Sequence, residues 1–215
     1  MIIGFANPKG GVGKSTLAIN TAIELFDLGN RVAFIDAESG GPNAEIIKRI
    51  EPKVGSFVET RLEQIDSRVQ KERVTNDYIV IDTPGKLGDE ITALCLIADL
   101  IIISMKTSEK DLRQAKPFIQ TIKAFQAKTK GSPQAMLVFT FTRKNDVTAR
   151  SFRKQMQPLG MPIAKTEIRC LDCLRDNHCV MRGIDEDDRG AAQDIRNLLS
   201  EIKTRSTTLK EIGNG

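Results

Sequence analysis

Lys9-Gly10-Gly11-Val12-Gly13-Lys14-Ser15-Thr16, set between the apolar run Ile2–Ala6 and a helical pattern opening at Ser15, decides the fold of this chain. A strand that turns through glycines into a helix points successive backbone N–H groups and a helix N-terminus into one concave space, which suits a polyphosphate. Gly10, Gly11 and Gly13 let the main chain close around phosphates with no Cβ in the way. Lys14 is then placed for the β- and γ-phosphates and the Ser15 hydroxyl for Mg²⁺, so that residues 9–16 form one nucleotide-binding stretch. The usual phosphate loop has glycine five positions before Gly13; here Pro8 stands there, and Lys9 adds a second lysine.

Outward from the loop, five apolar, β-branched runs punctuate the chain: Ile2–Phe5, Arg31–Ile35, Tyr78–Ile81, Leu100–Ser104 and Met136–Phe141. Most are continuous rather than alternating, as strands buried on both faces of a parallel sheet must be. Helical patterns separate them over Ser15–Leu28, Val58–Arg73, Asp89–Ile97, Ser108–Lys130 and Asp146–Leu159, with Pro117 expected to break or restart the fourth. A weaker strand is expected over Ile163–Ile168 and a final helix from about Asp188 to Lys203. Strand–helix alternation of this kind predicts an α/β fold: a single doubly wound, mostly parallel sheet with helices on both faces. The expected organisation is one domain over residues 1–203 and a polar tail over residues 204–215.

Composition allows one well-buried domain: 215 residues, 40% hydrophobic, 28% charged, net charge +4. The mild basic bias permits an anionic partner without demanding one. The chain opens directly on a strand, so no signal peptide is expected. No apolar run approaches the roughly 20 residues that cross a bilayer, and a cytoplasmic location is expected. Cys95, Cys170, Cys173 and Cys179 then read as thiols rather than disulfides. Cys170-x-x-Cys173 with the adjacent His178 and Cys179 lacks the separated ligand couples of a structural zinc site. His178 is the only histidine, which leaves histidine-based nucleophilic catalysis without support. Asp185-Glu186-Asp187-Asp188 reads as a solvated helix entry rather than a metal cluster.

Ligands of an open parallel sheet collect beyond the carboxyl ends of its strands. The second strand ends in Asp36, with Glu38 two residues on; the third ends in Asp82, followed by Thr83-Pro84-Gly85. A carboxylate placed there beside the loop serves the Mg²⁺ shell, and Gly85 stands where a backbone N–H senses a γ-phosphate. Either aspartate alone reads as a helix cap or turn residue. With the loop, both in chain order at strand ends, they predict Mg²⁺-dependent nucleotide binding.

Asn7–Thr16, Phe34-Ile35-Asp36-Ala37-Glu38 and Ile81-Asp82-Thr83-Pro84-Gly85 together resemble the deviant Walker A ATPases of the ParA/MinD family, a class of P-loop NTPase. In length the chain is similar to the small plasmid partition ATPases akin to ParF. The resemblance implies an ATP-driven homodimer in which Lys9 reaches the partner's phosphates, Lys14 contacts its own, and Ser15, Asp36 and Asp82 serve Mg²⁺. It implies a switch at Thr83, Pro84 and Gly85, and base recognition at the end of the later strands, with Thr142 and Arg143 as candidates. The family's second strand is followed by Asp-x-Asp-Pro-Gln; here Glu38 replaces the second aspartate, one methylene longer, as the residue that orients the attacking water. Slow or partner-stimulated ATP hydrolysis is therefore expected, with Lys9, Lys14 and Glu38 as catalytic residues.

Members of the family hold either DNA or membrane. Ile195, Leu198, Leu199 and Ile202 have the spacing of a helix packed on a core, and the polar tail lacks a membrane-inserting composition. Basic residues of the later half, among them Arg143, Lys144, Arg150, Arg153, Lys154, Lys165, Arg169, Arg175, Lys203, Arg205 and Lys210, form together a candidate surface for non-specific DNA. The expected partners are a second copy of the chain, nucleoid DNA and a cargo adaptor such as a centromere-binding protein, without membrane. A MinD-like membrane-surface ATPase and an ATP-dependent metabolic ligase on the same fold are the alternatives. An iron-protein-like electron carrier would need a cluster cysteine, and Cys95 reads as core.

Overall fold

A computed structural model describes residues 1–85, 90–143, 147–169 and 186–213. Seven strands form one sheet: β1 (Ile2–Ala6), β2 (Val32–Asp36), β3 (Gly55–Val58), β4 (Tyr78–Asp82), β5 (Leu100–Lys106), β6 (Gln134–Thr142) and β7 (Ile168–Arg169). Every pairing is parallel, in the order β3-β2-β4-β1-β5-β6-β7, so β1 and its loop sit mid-sheet. Helices α1 (Lys14–Asp27), α2 (Pro42–Ile50) and α7 (Glu186–Gly213) contribute buried residues to one apolar core, with Phe5 and Phe34 at its centre. Helices α3 (Leu62–Glu72), α4 (Glu90–Ile97), α5 (Glu109–Lys128) and α6 (Val147–Met156) contribute to a second, on the other face, with Ile35, Ile103 and Phe139. Neighbouring residues of one strand serve opposite cores, which is why the strands read as continuous apolar runs.

The expected architecture holds, with four local corrections. Gly55–Val58 is an edge strand, and Val58 ends it rather than starting the third helix; a Cβ on Gly41 would collide with the Val58 side chain. The short helix α2 begins at Pro42, where proline's fixed φ and missing N–H suit a first turn. Helix α5 runs unbroken through Pro117. That proline is exposed, so the carbonyl it strands can reach water, while Ala115, Phe118, Ile119 and Ile122 hold the helix to the core. The last helix continues through the expected tail to Gly213. Its apolar face through Ala191, Ile195, Leu198, Leu199 and Ile202 is buried. Cys170, Cys173, His178, Cys179 and Asp185 lie outside the described residues, as do Lys144 and Arg175.

Candidate functional site

The loop between β1 and α1 closes through Gly11 and Gly13 at φ 70° and 79°. Gly13 caps α1 with no side-chain bond, and no acidic residue stands in the first turn. By contrast, α5 has Ser108 as cap, its Oγ accepting from the Asp111 N–H at 3.2 Å, and Glu109 and Asp111 in its first turn. The N-terminus of α1 is thus left to an external anion, whereas that of α5 is satisfied internally. The loop opens into a cleft of about 390 Å³ lined by Lys9, Lys14, Ser15, Glu38, Asn43 and Gly85 among others, a size ordinary for a small-molecule site. Gly10, Gly11, Gly13 and Thr16 also line it. Val12 is buried, and its carbonyl accepts from Thr140 Oγ1 at 2.9 Å, anchoring the loop to β6.

Lys14 is only 6% exposed and donates to Asp82 Oδ1 at 2.7 Å, with Ser15 Oγ at 3.3 Å. The ammonium therefore bridges the carboxylate and hydroxyl that the sequence assigns to a cation, and that donor set fits a hard divalent ion. Burial pushes the Asp82 carboxyl above the ordinary carboxylate range, against the opposing pull of Lys14. Asp82 Oδ2 accepts from Asn43 Nδ2 at 2.9 Å.

Asp36 is employed differently. Its Oδ1 accepts from the Glu38 N–H at 3.0 Å and its Oδ2 from the N–H groups of Asn43 at 2.8 Å and Ala44 at 3.2 Å. It holds the turn and the start of α2, and through them aims Glu38 at the cleft. Asn43 touches both strand-end aspartates, one through its backbone and one through its amide, and sequence reasoning missed it. The available signal was Gly41-Pro42 as a helix start. Thr83 is fixed by its hydroxyl donating to the Phe5 carbonyl at 2.8 Å, and a Cβ on Gly85 would sit 3.3 Å from Gly10 Cα. The Thr83-Pro84-Gly85 turn thereby rests against the phosphate loop.

Lys9 lines the same cleft as Lys14 but has a different partner. Its ammonium pairs with the buried carboxylate of Asp111, which also accepts from Ser108 Oγ at 2.6 Å. At the far side, Thr142 is buried with its Oγ1 facing the Ile168 carbonyl at 3.4 Å, and Arg143 is exposed beyond the strand; neither lines the cleft. Between them and the loop stands Phe141, at φ 55° where β6 shifts register. A Cβ on Gly13 would come 3.2 Å from the Phe141 ring, so glycine is required there on both steric and φ grounds. Lys106 Nζ lies 4.4 Å from the centroid of that ring. Cys95 is buried in the second core, and burial pushes its thiol up to about 11.

The model of the CobQ/CobB/MinD/ParA nucleotide-binding domain matches residues 3–188. The chain belongs to this family. An uncharacterized ATP-binding protein of Methanocaldococcus jannaschii is 29% identical over 136 residues, covering 48% of this chain and 52% of that one. The chain thus aligns with about half of that relative's length. Among solved structures, a putative plasmid partition protein of Borrelia burgdorferi bound to AMPPNP superposes with a TM-score of 0.68 at 20% identity, covering 93% and 98% of the two chains. MinD cell division protein of Aquifex aeolicus gives 0.69 at 18%, covering 93% and 96%. At these identities the superpositions show the ParA/MinD fold. Among the described residues no helix is long and apolar enough to cross a membrane.

Proposed function

We propose that this chain is an ATPase of the ParA type that binds Mg²⁺·ATP, pairs with a second copy, holds DNA without sequence preference, and positions or segregates a cargo. The observation that carries the reading is the division of labour between two lysines. Both line the cleft, but Lys14 is buried on Asp82 at its own strand end, while Lys9 is held by Asp111 of α5. One nucleotide employs Lys14; Lys9 finds phosphates when a second chain presents them. On binding, Lys14 moves from Asp82 to the phosphates, leaving Asp82 and Ser15 to Mg²⁺. Glu38, held over the cleft by Asp36, orients the attacking water. Its extra methylene makes turnover slow until a cargo adaptor, such as a centromere-binding protein, stimulates it.

Retention on non-specific duplex DNA with ADP, ATP and a slowly hydrolysed analogue, at two salt concentrations, tests this reading. Retention that requires a triphosphate and weakens with salt supports it. Equal retention in every nucleotide state, or ATP-dependent capture on anionic vesicles in place of DNA, overturns it.

A further inference from the structure

Charge is segregated along this chain. Residues 109–165 hold 12 of its 32 lysines and arginines but only 3 of its 28 acidic residues, so about a quarter of the chain is strongly cationic and the remainder is net acidic. The fold gathers that quarter onto α5 and α6. Both pack on the same face of the sheet through Leu112, Phe118 and Ile122 on one helix and Ala149, Phe152 and Met156 on the other. Lys123 Nζ donates to the Leu159 carbonyl at 2.8 Å, tying α5 to the turn that follows α6.

With their apolar stripes in the core, the helices turn outward Lys110, Arg113, Lys116 and Lys123 on α5 and Arg150 and Lys154 on α6, all exposed. None of these six makes an ion pair among the described residues. Several basic residues singled out from the sequence are instead committed: Arg153 pairs with Glu167 and Arg169 with Asp194. Resting on the DNA-binding reading above, we propose that the outer face of α5 and α6 is the surface that takes the phosphate backbone of duplex DNA.

Lys110 to Lys123 spans about 20 Å of helix, the length of about six base pairs. Gln114, Gln120, Ser151 and Gln155 stand among the cations and offer hydrogen-bond donors to phosphate oxygens. A helix that lies on membrane needs a wide apolar face turned to lipid. Here Val147 is the one large hydrophobic residue exposed on the described parts of these two helices. The chemistry therefore favours nucleic acid.

The test compares the full chain with Arg113→Glu/Lys116→Glu and with a control pair at the C-terminal end of α3, Lys71→Glu/Arg73→Glu. Fluorescence anisotropy on random-sequence duplex DNA is read with a slowly hydrolysed ATP analogue at several salt concentrations, and circular dichroism verifies folding. The α5 pair is expected to lose at least about ten-fold in affinity and to flatten the log–log salt slope by about 2. The α3 pair is expected to stay within about two-fold of wild type. If wild type and the α5 pair bind equally, this surface assignment falls and the function proposed above stands. If wild type binds no DNA in any nucleotide state, or binds only anionic vesicles, both fall.

Discussion

Lys9 and Asp111 form an ion pair within one chain, joining the phosphate loop to the first turn of α5 across 102 positions of sequence. Asp111 is buried and also receives the Ser108 hydroxyl, so the carboxylate is fixed in place and the lysine is the movable partner. For Lys9 to reach the phosphates of a second chain, this pair must open.

Asp111→Asn keeps an acceptor for Ser108 and removes the charge that holds Lys9. A partly exposed pair is worth about 1 kcal/mol and one opens in each of the two chains, so ATP-dependent association is expected to tighten about thirty-fold. Sedimentation at graded protein concentration measures it; weaker association would show that the pair supports the dimer.

Glu38→Ala is expected to bind ATP like the wild type and to lose turnover, because Glu38 lines the cleft without holding the phosphate loop. Phosphate release alongside a nucleotide-binding titration checks this. Unchanged turnover would remove Glu38 from the catalytic assignment.

Asn43→Ala leaves Asp82 Oδ2 without its amide donor in a fully buried site. An unsatisfied buried acceptor costs about 1–3 kcal/mol, or a melting temperature lower by about 2–12 °C in a chain of this size. Thermal unfolding gives the shift, and a melting temperature equal to wild type would contradict the role assigned to the amide.

Asp77 is pulled down to about 2 by the Arg31 side chain and then by the Arg31 backbone N–H. Its folded value lies below its unfolded one. Its contribution to stability is therefore present above about pH 4 and is lost as pH falls toward 2. Carbon-detected NMR titration should find its midpoint near 2, rising in Arg31→Ala yet staying below the ordinary carboxylate range because the backbone N–H of residue 31 still donates to Asp77; an unchanged midpoint there would name another cause.

What the sequence discloses follows from range. Runs such as Val32–Ile35 and Leu100–Ser104 announce buried parallel strands because both faces of each are covered, and the glycines at 10, 11 and 13 announce the loop that β1 feeds. Gly55–Val58 and Pro42–Ile50 escape because four and nine residues are too few for a period to show. Asn43 escapes with its helix. The partner of Lys9 escapes because only the crossover through β5 brings Asp111 to it. The packing of Phe141 on Gly13 escapes too, because it arises where β6 shifts register and no pattern of residue types encodes such a shift.

The proposed function turns on Lys9 serving a second chain while Lys14 serves its own. Analytical ultracentrifugation with a saturating, slowly hydrolysed ATP analogue, on wild type and Lys9→Ala with nucleotide affinity measured on the same samples, tests it most directly. Wild type is expected to be a dimer and Lys9→Ala a nucleotide-loaded monomer. A Lys9→Ala protein that dimerises like wild type, or a wild type that stays monomeric with nucleotide bound, would contradict it.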